Sequence, residues 1–188
     1  MKILALSASP HANGNSARLV DELLSGAREA GAQTERLDLN RLHIRGCQGD
    51  YACKRHGRCG VKDDMQTVYD KIDDADAVVF ASPVYMGTIN AQLKTTLDRL
   101  YQYLNPDMTS RIQPPKRSAL VITQGQPDED KFAQHLQAVP WSLGLLGFGR
   151  TEVLLGGGLR DLDAAGQRPE LLARARELGR KLAQPAPV

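Results

Sequence analysis

Ile3-Leu4-Ala5-Leu6 is a continuous apolar run that ends in polar residues from Ser7 onward. A short run closed by a polar loop predicts a strand covered on both faces, as in a parallel sheet. From Ala17 the period changes. Ala17, Val20, Leu23, Leu24 and Ala27 fall on one helical face, and Gly31 follows as a stop. Residues 34–39 alternate polar and apolar and predict a half-exposed edge strand. A helix begins near Asp63, and Ala77-Val78-Val79-Phe80 within 76–81 repeats the buried-strand pattern. Leu93, Leu97, Leu100 and Leu104 mark an amphipathic helix, and Leu120-Val121-Ile122 within 117–123 a further buried strand. Residues 128–147 read as helical with a break near Pro140, because proline removes a backbone donor and clashes with the preceding turn. Residues 151–155 form a last short strand, and Leu171, Ala175, Leu178 and Leu182 a final helix face.

Strand and helix alternating in this way predict an α/β chain with right-handed crossovers and helices on both faces of the sheet. The first strand reads as central and the second as an edge, which favours a five-stranded parallel sheet in the order 2-1-3-4-5. Residues 1–184 are expected to form a single domain, with 185–188 a frayed, Pro-containing tail. One segment exceeds a minimal version of this plan. About 25 residues, from 40 to 64, show little periodicity and hold every cysteine of the chain. Loops longer than roughly 12–15 residues are usually functional or disordered, and the cysteines point to function.

Composition narrows the classes. At 188 residues the chain can bury a real core, and 41% hydrophobic with 24% charged residues are globular values. Lys plus Arg at 24 against Asp plus Glu at 22 leaves +2, which offers no electrostatic footprint for nucleic acid or an anionic membrane. The first strand starts at Lys2 and meets a polar loop by Ser7, too early for a signal-peptide apolar region. No stretch approaches the roughly 18–20 apolar residues of a spanning helix. Three cysteines confined to 47–59 are not a secreted disulfide framework. The expected location is cytoplasmic.

Chemistry concentrates in two loops. Ser7-Ala8-Ser9-Pro10-His11-Ala12-Asn13-Gly14-Asn15-Ser16 joins the first strand to the first helix. It matches neither the Gly-x-Gly-x-x-Gly pattern nor the NTPase loop. It does offer hydroxyls, carboxamides, a glycine and the free N–H groups of a helix start, the donors a dianionic phosphate needs. No lysine or arginine precedes Arg18, so neutral groups would hold the anion. Helix capping by Asn15 or Ser16 alone is the simpler alternative. The second loop, Ala81-Ser82-Pro83-Val84-Tyr85-Met86-Gly87, follows the third strand across the crevice where strand order reverses. There Pro83 stiffens the turn, Gly87 permits close approach, and Tyr85 and Met86 supply packing surface. An ordinary strand-to-helix turn, with Tyr85 in a satellite core, is the alternative.

Together these segments resemble the NADPH-dependent FMN reductases of the flavodoxin-like superfamily, in the branch that includes the iron–sulfur flavoproteins. The resemblance covers nearly the whole chain. It is carried by Ser7-x-Ser9-Pro10-x-x-Asn13-Gly14-Asn15-Ser16, the cysteine loop into Asp63-Asp64-Met65, Ala75-Asp76-Ala77, Ser82-Pro83-Val84-Tyr85 with Gly87, and Gln92-Leu93-Lys94 to Asp98-Arg99. It implies a flavodoxin-like three-layer sandwich with FMN as cofactor, bound by Ser7, Ser9, His11, Asn13, Asn15, Ser16 and Ala17. In that set Ser9, His11, Asn15 and Ser16 hold the phosphate. Pro83, Val84, Tyr85, Met86 and Gly87 line the isoalloxazine ring, and Thr123, Gln124 and Gly125 approach its far edge. His11 stands where relatives often carry arginine, so its charge would follow pH. Asp98 and Arg99 are read as a structural pair on a helix surface or interface.

The same resemblance implies four cysteines for a [4Fe–4S] cluster. Cys47, Cys53 and Cys59 match the first, third and fourth, but Asp50 stands in the second place. Carboxylate suits iron–sulfur iron less well than thiolate. The expectation is a loop that covers the flavin with reduced thiols and no metal; a cluster, or zinc held with Asp50 or His56, stays open as a rival. Gly156-Gly157-Gly158 reads as a flexible loop near the flavin edge, His43 and His135 as surface or helix residues, and Trp141 as core or subunit contact.

No spacing supports nucleophilic hydrolysis, and no catalytic side chain is named, because a flavin carries the chemistry itself. The implied function is an NAD(P)H-dependent FMN oxidoreductase that passes electrons to a small acceptor: flavin, quinone, azo or nitro compound, or metal ion. It would work as a homodimer or homotetramer. The rival is a non-catalytic electron-transfer flavoprotein, with or without a cluster; such carriers are usually acidic, unlike this chain.

Overall fold

The computed structural model describes residues 1–184, so the tail expected at 185–188 lies outside the described residues. Strands β1 (Lys2–Ser7), β2 (Gln33–Asp38), β3 (Ala77–Tyr85), β5 (Arg117–Thr123) and β6 (Thr151–Gly156) pair in parallel in the order β2-β1-β3-β5-β6. This is the doubly wound, flavodoxin-like order expected from the sequence. A sixth strand was not expected. The two-residue β4 (Thr88–Ile89) folds back antiparallel on β3, pairing Val84 with Ile89 and Tyr85 with Thr88. Pro83, Val84 and Tyr85 therefore belong to a strand end, not to a free loop.

Alternation within the buried strands divides the core. Ile3, Ala5, Val79 and Val121 face helices α1 (Asn15–Glu29) and α7 (Pro169–Ala183). Leu4, Leu6, Phe80 and Leu120 face the layer of α3 (Met65–Asp74), α4 (Ala91–Arg99) and α6 (Ala138–Leu146). Helices α1 and α7 touch backbone to backbone. A Cβ added at Gly26 would stand 1.9 Å from the Arg176 carbonyl oxygen, and one at Gly179 1.8 Å from that of Leu23.

Three local expectations are corrected. The helical segment 128–147 begins as a 3₁₀ turn (Glu129–Phe132), continues as α5 (Ala133–Leu136), and breaks at Gln137 ahead of α6. Pro140 sits within α6 and has no N–H to give the Leu136 carbonyl, so the interruption lies upstream of the proline. The leucine-marked helix ends at Arg99 and tightens into a 3₁₀ turn (Leu100–Tyr103). The aperiodic cysteine segment contains a short helix, α2 (Ala52–His56). Among the described residues, no helix is long and apolar enough to cross a membrane.

Candidate flavin site

The chain leaves β1 toward β2 on one side and later lays β3 on the other, so the carboxyl ends of β1 and β3 flank a switch point. Several bonds hold the two loops there. The Ala8 N–H donates to the Ala81 carbonyl at 2.9 Å. Asn90, only 1% exposed, caps α4 through its Oδ1, which accepts the Leu93 N–H, while its Nδ2 donates to the Ala8 carbonyl at 2.6 Å. The Asn90 N–H in turn donates to Ser82 Oγ at 3.0 Å. Asn90 thus joins the first loop, the end of β3 and α4. Sequence spacing gave it no role.

Between the loops lies a cleft of about 370 Å³. From the first loop it is lined by Ser9, His11, Gly14, Asn15 and Ser16, from β3 by Pro83, Val84 and Tyr85, and from the end of β5 by Thr123, Gln124 and Gly125. Leu159, Arg160 and Leu162, which the sequence reading missed, complete it. Ser7 and Ala17 are buried below the rim, and Asn13 and Met86 are exposed outside it, Met86 fully so at φ 49°. Gly87, at φ 87°, follows Met86, and with β4 turns the chain away from the cleft.

Ser9 Oγ both accepts the His11 N–H and reaches the His11 carbonyl, each at 3.2 Å, and the Gly14 N–H also donates to that carbonyl. The loop is therefore wound tightly around His11. A Cβ at Gly14 would meet His11 Cβ at 2.9 Å, so this N-cap must be glycine for close approach. Gly14 has no side chain to cap α1, and no acidic residue occupies the first turn. The N–H groups of Asn15, Ser16 and Ala17 precede the first intrahelical bond, from the Arg18 N–H to the Gly14 carbonyl. An uncapped helix start of this kind presents free N–H groups of the sort that suit an anion.

The Asn15 carboxamide points elsewhere. Its Nδ2 donates to the carbonyls of Leu159 and Asp161 at 3.2 and 2.7 Å, and its Oδ1 accepts the Ala165 N–H at 2.8 Å. The sequence reading gave this side chain to the phosphate, whereas the structure spends it on the loop after β6. Those partners lie some 150 positions away in the chain, so no local pattern reports them. Ser16 and Thr123 share one hydrogen bond at 2.6 Å, which leaves the pair one hydroxyl hydrogen to donate.

FMN, the cofactor that the resemblance implies, can be tested against these residues. Gln124 is 4% exposed and donates through Nε2 to the Asp128 carbonyl, yet its buried Oε1 has no partner. A buried acceptor left unpaired is unfavourable, and a ring N–H in the cleft would satisfy it. With the uncapped start of α1, this orphan makes the residues present fit a phosphorylated flavin.

The cysteine loop does not fit the metal in the same way. Asp50 Oδ1 accepts the Ala52 N–H at 2.9 Å, and among the described residues no group of three or more His, Cys, Asp or Glu side chains is placed to hold a metal ion. Asp98 and Arg99 are not partners either. Asp98 pairs along the helix with Lys94, while the wholly buried Arg99 side chain reaches back to Asp63 at 2.7 Å. Burial alone would raise the Asp63 carboxyl. Hydrogen bonds from Arg99 and from the Arg45 and Met65 N–H groups outweigh it and hold the carboxyl below its ordinary range. Trp141 is 70% exposed, which excludes the core for it.

Comparison with known proteins places these features. An iron–sulfur flavoprotein of Methanocaldococcus jannaschii is 38% identical over 99 residues, 53% of this chain and 51% of that one. An iron–sulfur flavoprotein of Archaeoglobus fulgidus is 27% identical over 187 residues, 98% of this chain and 80% of the other. The match thus spans only about half the length of the first of these relatives. A solved structure, the NAD(P)H:quinone oxidoreductase from Methanothermobacter marburgensis, superposes with TM-score 0.80 at 25% identity, covering 99% of this chain and 98% of that one. The sequence profile of the NADPH-dependent FMN reductases matches residues 1–141, which hold both loops of the cleft and the whole cysteine segment, and the chain belongs to that family.

Proposed function

We propose that this chain is an FMN-dependent oxidoreductase, taking electrons from NAD(P)H and passing them to a small acceptor such as a flavin, a quinone, an azo or nitro compound, or a metal ion. The observation that carries this reading is the cleft at the switch point, with an uncapped helix start on one side and an unpaired buried carboxamide oxygen on the other. When bound, FMN supplies a two-electron acceptor that a nicotinamide can reduce and a second substrate can reoxidise.

The remaining work falls to the chain. The N–H groups of Asn15, Ser16 and Ala17, with the hydroxyl hydrogen left by the Ser16–Thr123 pair, would hold the phosphate, with His11 at the edge of the same loop. Pro83 and Val84 form a stiff wall because β4 braces the end of β3. Gln124, with its unpaired Oε1, would meet the ring edge, and Tyr85, 45% exposed, would bound the open side where substrates enter. Asn15 supports the site from behind by fixing the loop that carries Leu159, Arg160 and Leu162. Exposed Tyr85 and Leu162 at the rim, with exposed Met86 outside it, support assembly as a homodimer or homotetramer in which a neighbour covers the cleft.

Anaerobic titration of FMN-loaded protein with NADH and with NADPH tests this reading. Bleaching of the flavin absorbance at one equivalent, followed by reoxidation with a quinone, is the expected result. A flavin that stays oxidised with both nicotinamides would refute it and favour a carrier reduced by a protein partner.

A further inference from the structure

Arg160 is the one side chain with a permanent charge that lines the cleft, and among the described residues no carboxylate lines it. The loop that carries Arg160 is fixed from two directions. The Gly158 N–H donates to the Gln126 carbonyl at 2.7 Å, and the Leu159 N–H to that of Gln124 at 2.9 Å. Asn15 Nδ2 holds the carbonyls of Leu159 and Asp161, the residues on either side of Arg160. The backbone at this position is thus set, although the side chain it carries is exposed.

The side chain is seated as well. Its Nε–H donates to the Gly125 carbonyl at 3.3 Å. A Cβ built on Gly125 would stand 3.2 Å from Arg160 Cγ, so the stem lies against a glycine whose missing side chain makes the room. Among the described residues that Nε bond is the only one the side chain makes, and the guanidinium enters no ion pair. Glu129, which reaches the neighbouring turn, accepts the Gly157 N–H and pairs with Arg174 instead. Both Nη groups therefore keep all their N–H donors.

An arginine fixed by its stem, with an open fork and no counter-charge, suits a phosphate, whose oxygens it meets in pairs. Two kinds of phosphate could come to this cleft. That of FMN is met, on the proposed reading, by the N–H groups at the start of α1. Arg160 is held instead to the residue after Gln124, beyond the end of β5, and faces solvent. A charge exposed at a rim acts on what arrives from outside. The nicotinamide donor arrives carrying a pyrophosphate, and NADPH carries a further phosphate on its adenosine ribose.

We propose that Arg160 binds a phosphate of the reduced nicotinamide dinucleotide and so positions the donor at the cleft, an inference that rests on the reading of that cleft as a flavin site. Arg160 touches no reacting atom, so it acts on the affinity for the donor. The anion is either the pyrophosphate common to both nicotinamides or the ribose phosphate of NADPH, and the two differ in what replacing Arg160 does to NADH.

The test is anaerobic stopped-flow reduction of the FMN-loaded parent and Arg160→Gln proteins over a range of NADPH and NADH concentrations. Calorimetric titration with NADP⁺ and NAD⁺, which leave the flavin oxidised, reads binding alone. The variant keeps a polar chain and removes the charge. Its Kd for the donor and for the matching oxidised nucleotide should rise about tenfold, while the limiting rate of bleaching changes less than about threefold. Arg160→Lys should recover part of the loss as a point charge. Added salt should weaken binding to the parent more steeply than to Arg160→Gln. A loss confined to NADPH and NADP⁺ assigns the ribose phosphate; an equal loss with NADH and NAD⁺ assigns the pyrophosphate. Equal Kd in parent and variant for every one of these nucleotides overturns the inference and leaves the flavin reading standing. A variant that loses more affinity for FMN than for riboflavin overturns it too, and gives the guanidinium to the flavin phosphate. A parent flavin that neither donor bleaches defeats the reductase reading and this inference with it.

Discussion

Replacing Asn15 with alanine separates two roles that the sequence runs together. In the structure the carboxamide donates at 3.2 and 2.7 Å and accepts at 2.8 Å, all toward the segment 159–165. A net hydrogen bond contributes about 0.5–1.5 kcal/mol, and a buried N–H left unpaired costs about 1–3 kcal/mol. Ala165 is fully buried, so its N–H falls in the second class. The loss therefore comes to about 2–3 kcal/mol, once the more exposed bond to Asp161 is discounted. At 1.4 kcal/mol per decade, that raises the open population of the loop roughly 30- to 140-fold. Hydrogen exchange measures this directly. The amides of Leu159 and Ala165 should exchange faster by that factor, while those of β1 stay unchanged. FMN affinity should fall by less than about tenfold, because the loop remains mostly closed and apparent affinity scales with the competent fraction. Unchanged exchange at 159–165, together with an affinity loss beyond a hundredfold, would refute the reasoning and return the carboxamide to the phosphate.

Other expectations concern packing, charge and the ring edge. Gly179→Ala forces a Cβ onto the Leu23 carbonyl and should destabilise by about 3 kcal/mol or more, with Tm falling about 6–12 °C; calorimetry showing a drop under 2 °C would mean that α1 and α7 slide apart freely. Asp63→Asn strips Arg99 of its counter-charge and should cost about 3–5 kcal/mol at pH 7 by urea denaturation. Because the folded Asp63 pKa is depressed, its contribution is whole above the unfolded value of about 3.9 and is lost as pH falls through the lower folded value. The gap between variant and parent should thus narrow only below about pH 4, and a constant gap down to pH 3 contradicts the pairing. Gln124→Met removes the unpaired Oε1 and should weaken FMN and riboflavin by the same factor, roughly three- to tenfold; fluorescence titration in which only FMN weakens would move Gln124 to the phosphate end.

Much of this architecture was legible in the sequence because its strongest signals are local. Ile3 to Leu6 reads as a strand because β1 is buried on both faces, and Ala17 to Ala27 reads as a helix because α1 lays one stripe on the sheet. The first loop was legible through its donors, which hydrogen-bond chemistry ties to residue type. What stayed hidden depends on distant partners. Nothing near Arg99 announces Asp63, 36 positions upstream, and the sequence placed Arg99 with Asp98 as a structural pair on a helix surface or interface, whereas its side chain is buried. Leu159, Arg160 and Leu162 reach the cleft through bonds to Asn15 and to the segment after β5, far away in the chain, and β4 exists because the chain after Gly87 finds the free end of β3. The break before Pro140 shows a general offset: a proline disturbs the turn that would have received its missing N–H.

The bare N-cap at Gly14 has a consequence for how long the protein lasts. Most helices close their own first turn with a side chain. On the proposed reading this one leaves that task to the FMN phosphate, which makes folding and cofactor supply linked equilibria. Free FMN at a hundred times its dissociation constant adds about 2.7 kcal/mol to stability through mass action alone. When flavin is scarce the chain returns to its lower intrinsic stability, opens more often and meets proteases more often. Its abundance would then follow the cofactor pool, and a protein built to spend flavin electrons would also report how much flavin there is.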